Sequence, residues 1–348
     1  MKQGDRMAKQ QRRSNGGDRN SVRIDGREYA VLDRIRVNRR TYLVLEKGLG
    51  NADRQRMKVY DPHTGPGGDL RSLMILPVGK SARQHVRVMK NASNGNENLP
   101  SIHDYQIQQG NIYVVSAWVR GPDVESFLAG VKSGRVARPS ISESFRLFRG
   151  LAHGLSHLHR RHSIVHGDIK PSNLILARDS SRLVMIDYGS SWTAERTRDR
   201  SEGDGISRAY AAPELQEGES LVDFRSDQFS ATVLLYELLT LRVPYDGLGG
   251  QAGRKEFKAS MSEKLDSPTA QHPDRSRLPR SLCQAVDNVI RKGLQLEADS
   301  RFTSPNEWLD SIQAVSSQFT PQSQLSATNS RMTPVVEWCA LMINRFRR

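Results

Sequence analysis

The sequence predicts an α+β fold of two lobes, in which a small antiparallel sheet with one helix is followed by a larger, mainly helical part. Two observations support this fold class. Short segments rich in Val, Ile, Leu and Tyr fill the chain between residues 28 and 119. Beyond about residue 140, apolar residues recur at the three- and four-residue spacing of amphipathic helices. A chain of 348 residues is long enough for two such lobes around a cleft.

In the first lobe, four segments with the composition of strands are separated by polar turns. They are residues 29–35 (YAVLDRI), 40–47 (RTYLVLEK), 54–61 (RQRMKVYD) and 111–119 (NIYVVSAWV). Between the third and the fourth, residues 81–93 (SARQHVRVMKNAS) predict a helix that buries Val86, Val88 and Met89. Before these strands, residues 1–27 are polar, basic and rich in Gly and Asn, which predicts a disordered arm.

The second lobe opens with a predicted helix over residues 140–162, whose start is marked by a capping box of Ser140 and Glu143. Two short strands and three further helices follow, over residues 173–177, 182–187, 226–241, 280–294 and 304–315. The expected domain therefore covers residues 28–316, with a smaller lobe at 28–119 and a larger lobe at 120–316. A polar linker at 317–333 precedes an amphipathic C-terminal helix at 334–348, which either docks on the domain or contacts a membrane surface or partner.

Composition limits the classes of function. The net charge of +14 favours anionic partners such as nucleotides, acidic proteins, nucleic acid or anionic lipid, without choosing among them. The two cysteines, Cys283 and Cys339, suggest neither a disulfide framework nor a zinc site and are expected to be buried thiols. No segment approaches the roughly 18 apolar residues of a membrane span, and the N-terminus has no apolar signal region, so we expect a cytoplasmic protein without a transmembrane segment.

Several short motifs follow one another in a fixed order. A lysine on a predicted strand (Lys58) precedes HGDIKPSN (166–173), IDYG (186–189), AAPE (211–214), SDQFS (226–230) and an isolated arginine, Arg301. In this order the motifs resemble those of the eukaryotic-type (Hanks-type) bacterial serine/threonine protein kinase family, over roughly residues 28–316. The resemblance implies the bilobal protein-kinase-like fold, ATP and Mg²⁺ as cofactors, and a protein substrate whose identity the sequence does not give.

The resemblance also assigns roles in phosphoryl transfer, a reaction that requires positioning and charge neutralisation more than covalent chemistry. Asp168 would accept or orient the proton of the substrate hydroxyl, and Lys170 would lie beside the γ-phosphate. Asn173 and Asp187 offer the oxygen ligands that Mg²⁺ prefers. The nucleotide itself would be bound by Lys58 at its α- and β-phosphates, and by Ala117, Val119 and Ile175.

Other matching residues are implied to be structural or regulatory. His166 would brace the catalytic loop against IDYG, and Asp227 would hold the backbone of that loop from a buried helix. Glu214 and Arg301 would form an ion pair. Ser207 matches the family's substrate-facing Ser/Thr and, with Lys170, favours serine and threonine over tyrosine substrates.

The sequence departs from the family pattern at the catalytic loop and in the first lobe. Gly167 stands where many members have an arginine that clasps an activation-segment phosphate, so we expect no such regulatory contact. The turn at 36–40 contains no glycine, whereas close approach to phosphates favours glycine. The predicted helix offers Gln84 and His85 but no glutamate to hold Lys58, and Arg56 replaces a small residue beside the adenine.

These departures leave three functions open. An atypical serine/threonine kinase is the first, because Asp168, Asn173 and Asp187 are all present. A pseudokinase or scaffold module with weak or no catalysis is the second. The tripeptide HGD also occurs in small-molecule phosphotransferases, but AAPE and SDQFS favour the protein kinase branch. Contact between an anionic surface and the basic N-terminal arm or the C-terminal helix is a further expectation.

Overall fold

Strand-forming segments at the start of the chain pair into one antiparallel sheet in the computed structural model. The structure describes residues 21–24, 27–35, 55–61, 69–92, 96–177, 182–187, 191–193, 207–216, 222–261 and 263–319. Its six-stranded sheet contains β1 (Ser21–Ile24), β2 (Arg27–Ile35), β3 (Gln55–Asp61), β4 (Asp69–Pro77), β5 (Ile102–Gln108) and β6 (Asn111–Ala117). The strands lie in the order β1-β2-β3-β4-β6-β5, and every neighbouring pair is antiparallel.

The predicted strands at 29–35, 54–61 and 111–119 are confirmed as β2, β3 and β6, whereas the prediction at 40–47 lies outside the described residues. Three strands of this sheet were missed. β1 lies within residues that we predicted to be disordered, so that prediction was wrong for Ser21–Ile24, a four-residue segment too short to show a pattern by itself. β4 lies between the third predicted strand and the predicted helix, β5 lies between that helix and the fourth predicted strand, and no strand was predicted in either stretch.

A helix, α1 (Lys80–Ala92), follows β4, as the apolar spacing predicts. Val86, Val88 and Met89 are all buried, with at most 9% of their surfaces exposed. Arg87, which lies between them in the sequence, is exposed, and α1 carries no acidic residue. The periodicity of the sequence therefore identified the buried side of this helix correctly.

The later part of the chain is built mainly of helices. They are α2 (Val124–Lys132), α3 (Ile141–His162), α4 (Pro213–Gln216), α5 (Phe224–Thr240), α6 (Lys255–Met261), α7 (Arg280–Gly293) and α8 (Pro305–Ser316). Two small antiparallel pairs accompany them, formed by β7 (Ile164–Val165) with β10 (Trp192–Thr193) and by β8 (Leu174–Ala177) with β9 (Arg182–Met185).

Helix α3 begins with the predicted capping box. The Ser140 hydroxyl accepts a hydrogen bond from the backbone N–H of Glu143 (3.1 Å), and the Glu143 carboxylate accepts one from the backbone N–H of Ser140 (2.9 Å). The apolar residues spaced along the helix are buried, and Phe148 packs edge-on against Trp308 of α8 at 6.0 Å between ring centroids. The helix ends at His162, directly before β7 and the catalytic loop.

Helix α5 is buried around its whole circumference from Ser226 to Thr240, so it forms the centre of the helical part. Helices α3 and α7 pack against it. A buried helix of this kind can hold polar side chains rigidly, provided that each finds a hydrogen-bond partner. It is therefore a suitable support for the catalytic loop, which follows α3 and β7.

The chain divides into two compact units, one from the described residues of Met1–Arg83 and Ser101–Trp118, the other from those of Gln84–Pro100 and Val119–Arg348. In the described part of the chain, no helix is long and apolar enough to cross a membrane. Cys283 is buried as a free thiol, whereas Cys339, most of the predicted linker and the whole predicted C-terminal helix lie outside the described residues.

Candidate active site

The predicted catalytic loop brings an acid, a cation and an amide into direct contact. Lys170 Nζ lies 2.7 Å from Asp168 Oδ2. The Asn173 Nδ2 amide donates to the same carboxylate oxygen and to the Asp168 carbonyl oxygen, both at 2.9 Å. A 3₁₀ turn over Pro171–Asn173 folds the amide back towards Asp168. The side chains of Asp168 and Lys170 keep 15% and 14% of their surfaces exposed, so a substrate group can still reach them.

The electrostatic setting of Asp168 makes its carboxylate more basic than an exposed aspartate. Burial raises the pKa of Asp168, because a charged carboxylate loses hydration there, and the nearby Asp187 carboxylate raises the pKa further. Lys170 acts in the opposite direction and favours the charged form. Such an acid can hold a proton from a substrate hydroxyl more readily than one in water.

Asn173 and Asp187, the predicted magnesium ligands, are linked through the backbone. The N–H of Ile186 donates to the Asn173 carbonyl oxygen (2.9 Å), and Asp187 follows directly with a φ of +71°. The Asn173 amide nitrogen is turned towards Asp168, which leaves the amide oxygen as the atom able to bind a cation. An amide and a carboxylate oxygen fit Mg²⁺, which completes its shell with waters and phosphates. The described residues contain no group of three or more His, Cys, Asp or Glu side chains that could hold a metal by themselves.

Asp227 of α5 fixes the backbone at the start of the catalytic loop. Its fully buried carboxylate accepts hydrogen bonds from the backbone N–H groups of His166 (2.7 Å) and Gly167 (2.8 Å). The His159 Nε2–H donates a third (2.9 Å). Burial alone would raise the pKa of Asp227, but the His159 hydrogen bond and charge, followed by other nearby donors, hold that pKa below its usual value. Asp227 is thus bonded to the backbone of the loop, and His159, its third partner, was missed by the sequence analysis.

Gly167 lies where the loop turns sharply after β7. Its φ is +75°, a left-handed conformation that costs a residue with a Cβ atom about 1 to 2 kcal/mol. The conformation aims two successive backbone N–H groups at the same carboxylate of Asp227. Apart from the absence of the regulatory arginine, the backbone conformation at this position therefore favours glycine over other residues.

His166 is fully buried between the loop and the residues after β9. Its carbonyl oxygen accepts a hydrogen bond from the Ser191 hydroxyl (3.2 Å), and its Nδ1 accepts one from the backbone N–H of Asp168 (3.4 Å). Burial lowers the pKa of His166 despite the opposing charges of Asp227 and other carboxylates, which favours the neutral form of the ring. The structure thus brings His166 into contact with the segment that follows Asp187.

Glu214 and Arg301 form a buried ion pair. Arg301 Nη1 and Nη2 lie 2.7 and 3.0 Å from the two carboxylate oxygens of Glu214, and the Ser226 hydroxyl donates to the same carboxylate (2.8 Å). Burial opposes ionisation, but Arg301 outweighs it and holds the pKa of Glu214 below its usual value. The guanidinium also lies 4.8 Å from the ring of Phe229. The pair links the AAPE segment to the turn that precedes α8.

The predicted substrate-facing segment begins with a turn in which the Ser207 carbonyl oxygen accepts the N–H groups of Tyr210 (2.8 Å) and Ala211 (3.0 Å). The Tyr210 hydroxyl donates to the buried Glu237 carboxylate (2.6 Å), which Lys132 also contacts (2.7 Å). Burial, followed by the Glu237 charge, raises the pKa of Tyr210. Sequence reasoning missed Glu237, because an acid amid the apolar residues of α5 gives no sign of its partners.

The residues predicted to contact the nucleotide base occupy defined backbone positions. Ala117 ends β6, and its N–H donates to the Ser101 carbonyl oxygen (2.8 Å). Val119 and Ile175 are each partly exposed. Near Ile175, the chain at Gly121 passes so close to β8 that a Cβ atom would lie 1.9 Å from the Leu176 carbonyl oxygen, which explains the glycine there.

The predicted position of Lys58 needs correction. The sequence analysis placed its strand directly before the helix, but β4 lies between them, and Lys58 on β3 is opposite Ser72 of β4. β4 itself contains no lysine, and its central residue Met74 is buried. The apolar run in β4 was overlooked because it directly follows residues 62–68, which are rich in Gly and Pro. Arg56, predicted to lie beside the adenine, is likewise on β3, opposite Met74.

Comparisons with known proteins agree with this geometry. The protein kinase domain model matches residues 74–315, from within β4 to the end of α8. Serine/threonine-protein kinase PknJ of Mycobacterium tuberculosis is 28% identical over 215 residues, which are 61% of this chain and 34% of PknJ. A probable serine/threonine-protein kinase of Streptomyces coelicolor, SCO3848, is 30% identical over 205 residues, 58% of this chain and 28% of that protein.

The crystal structure of the Mycobacterium tuberculosis PknI kinase domain shares the fold, with a TM-score of 0.55 and 21% identity over 86% of this chain and 99% of that domain. The chain spans about a third of the length of its curated relatives. The family match covers most of the sequence and includes the loop, the ion pair and the buried helix described above. The chain therefore belongs to the protein kinase domain family.

Proposed function

We propose that this chain is an atypical serine/threonine protein kinase that transfers the γ-phosphoryl group of ATP to a hydroxyl group of a protein. The observation that carries the proposal is the contact of Asp168 with both Lys170 and Asn173. A carboxylate in contact with a cation and an amide supports the proposal, because phosphoryl transfer needs a base, charge neutralisation and a metal ligand close together.

In the proposed reaction, Asp168 orients the substrate hydroxyl and receives its proton as the oxygen attacks the γ-phosphorus. The bond to the bridging oxygen breaks, and ADP leaves. Lys170, now 2.7 Å from the Asp168 carboxylate, can also face the transferring group and offset its charge. Asn173 and Asp187 would hold Mg²⁺, which neutralises phosphate charge when it is bound.

Serine and threonine are the proposed acceptors, because Lys170 lies within the catalytic loop and Ser207 begins the substrate-facing segment. The names of the curated relatives support the same preference. The protein substrate is not identified. A cytoplasmic location and contact with anionic surfaces through the N-terminal arm or the C-terminal helix stay predictions.

Asp168→Asn tests the reaction directly. With labelled ATP, Mg²⁺ and a generic protein substrate, we expect this variant to lose about 10²- to 10⁴-fold in rate, the usual contribution of a general base. Asp310→Asn, which changes an exposed acid on α8, is the matched control and should keep the wild-type rate. Equal rates for wild type and Asp168→Asn would refute the proposed role of Asp168.

A pseudokinase or scaffold module is the second candidate, and one observation favours it. β4, the strand that leads into α1, has no lysine, and α1 has no acidic residue to pair with one. Both members of the ion pair that the family resemblance implies are therefore missing from these two elements. A scaffold that binds no nucleotide would have no use for that ion pair.

Nucleotide binding separates the two candidates. For the kinase, Mg·ATP should raise the melting temperature, and Asp187→Asn, which removes a proposed Mg²⁺ ligand, should reduce that rise. Asp310→Asn, which changes an exposed acid on α8, is the matched control. No thermal shift with Mg·ATP, together with no phosphorylation above the Asp168→Asn background, would favour the scaffold.

A further inference from the structure

One side of α3 that the catalytic chemistry does not use carries a continuous row of basic residues. At intervals of three or four residues, which place side chains on one helix face, the sequence has Arg146, Arg149, His153, His157 and Arg160. We call these five residues the basic stripe. All are exposed except His157, which is partly buried. A surface helix usually mixes charges of both signs, so an unbroken basic row is unusual.

Neighbouring elements pack on both sides of the basic stripe and leave it open between them. On one side lies α8, where Gln313 Nε2 is 3.1 Å from His153 Nε2. On the other side, a Cβ atom built on Gly150 would lie 3.0 Å from Asn98 Oδ1 and 3.7 Å from the Arg182 Cβ. The basic stripe therefore lies along a helix whose position is fixed by its neighbours.

The positive charge of the basic stripe comes mainly from its arginines. Burial lowers the pKa of His153, and the positive charges of Arg149 and Arg160 lower it further, which shows that these two arginines lie within electrostatic reach of the histidine. The nearest acid in the helix sequence, Glu143, is engaged in the capping box. Among the described residues, the structure records no ion pair for Arg146, Arg149 or Arg160. The row therefore presents positive charge to the solvent.

We propose that the basic stripe binds an extended acidic segment of a partner protein. From Arg146 to Arg160 the row is about 21 Å long, which matches about six or seven residues of an extended peptide. Every second residue of such a peptide faces the same side, so alternating carboxylates meet successive turns of the helix. Three of the five groups are arginines, whose guanidinium groups bind carboxylates in a bidentate manner.

The surroundings favour a narrow peptide over a broad anionic surface. Glu97, 87% exposed, lies on the Arg182 side of the stripe, and Asp310 is exposed on α8. These acids would repel the phosphates of a nucleic acid duplex, which is wider than one row of side chains. A membrane would be contacted better with an apolar anchor, but the one large apolar side chain exposed in the described residues is Ile107 on β5, outside α3.

The test uses the full chain and a labelled peptide of about twelve residues in which glutamate and serine alternate. Fluorescence anisotropy at about 50 mM salt, where charge interactions are weakly screened, should show binding that weakens towards about 200 mM. A variant with Arg146→Glu, Arg149→Glu and Arg160→Glu together should bind at least about tenfold more weakly, the summed effect of three exposed ion pairs. A second variant has Gln at the same three positions, so the charges are removed but not reversed. It should stay folded and should lose less affinity for the peptide than the Glu variant.

A charge-matched control separates the stripe from net charge. Arg242→Glu, Lys255→Glu and Arg291→Glu change three exposed cations elsewhere and should alter the affinity less than about twofold. Equal losses in both triple variants, or no loss in the Gln variant, would overturn the proposal, as would a wild-type chain that does not bind the peptide. A short nucleic acid duplex or vesicles with anionic lipid could bind more strongly than the peptide. If that binding is lost in the stripe variants, the proposal is overturned and that ligand is the partner. None of these outcomes depends on kinase activity.

Discussion

The hydrogen bonds that Asp227 of α5 accepts from the predicted catalytic loop should affect both the stability and the activity of the protein. Asp227 accepts two backbone N–H groups on the loop and the His159 ring nitrogen, at 2.7 to 2.9 Å. Asp227→Asn keeps the size of the side chain but replaces one acceptor oxygen by an NH₂ group. Because all three partners are donors, the new NH₂ group must face at least one of them.

The expected loss follows from the contacts. One hydrogen bond to a charged acceptor contributes about 1.5 to 3 kcal/mol, and a buried donor left unsatisfied costs about 1 to 3 kcal/mol. Since these two effects overlap, Asp227→Asn should lower the free energy of unfolding by about 2 to 4 kcal/mol. The same change releases the backbone at Gly167, so we also expect a fall in kcat, measured with the folded fraction held constant.

Urea unfolding of wild type and variant at neutral pH measures the stability loss. Asp223→Asn is the matched control, because Asp223 caps the same helix, is 37% exposed and accepts the Arg225 N–H, which asparagine does equally well. Its effect should stay below about 1 kcal/mol. If Asp227→Asn costs no more than Asp223→Asn, the reasoning about the buried donors is refuted.

The pH dependence provides a second check on Asp227. Its pKa is lowered in the folded protein, so the stability that it contributes is present above the unfolded value of about 3.9. That contribution is lost as the pH falls through the lower folded value. The difference between wild type and Asp227→Asn should therefore be constant from pH 5 to 7 and should shrink only below about pH 4. A difference that shrinks between pH 7 and 5 would contradict this assignment.

Three further predictions follow from single contacts. Gly167→Ala should cost about 1 to 2 kcal/mol in urea unfolding because φ is +75°, and no loss would show that the backbone relaxes. Arg301→Met should cost about 3 to 5 kcal/mol because it leaves the Glu214 charge buried, whereas a cost below about 1 kcal/mol would mean that water reaches Glu214. Hydrogen bonds from Lys292, followed by Thr303, lower the pKa of Glu307 to about 2. Its contribution is therefore present above about pH 4.3 and is lost towards pH 2. Glu307→Gln should flatten the stability curve in that range, and an unchanged curve would contradict the assignment.

The sequence predicted the helical part better than the sheet. Apolar spacing and caps located α3, and the buried residues of α1 were correct, because these signals are local. β1 and β5 form because they pair with neighbouring strands of the sheet, and β4 also follows a stretch of turn residues at 62–68. Short strands of this kind are defined by pairing between distant segments, which a single sequence does not show.

The residues of the candidate site likewise fall into those that a sequence motif marks and those that no motif marks. Motif order selected Asp168 and Asn173, which the structure brings into contact, and it paired Glu214 with Arg301 across the chain; the roles in catalysis and metal binding stay predictions. Partners without a motif were missed, such as His159 on Asp227. The position of Lys58 depended on which strand precedes the helix, so the missed strand β4 led directly to the wrong position.

The predicted catalytic loop contains features that lower the stability of the folded protein, and their presence favours an enzyme over a scaffold. Burial raises the pKa of Asp168, the nearby Asp187 carboxylate raises it further, and Asp187, which has a Cβ atom, holds a positive φ of 71°. A scaffold would be more stable with apolar or neutral groups in these places, since strained backbone and close acids reduce stability unless a function requires them. The absence of a lysine from β4 would cost an enzyme one contact to the nucleotide, but it does not explain why these unfavourable acids are present. The proposed phosphoryl transfer would explain them, because it needs a base and a metal ligand held close together before the substrate arrives.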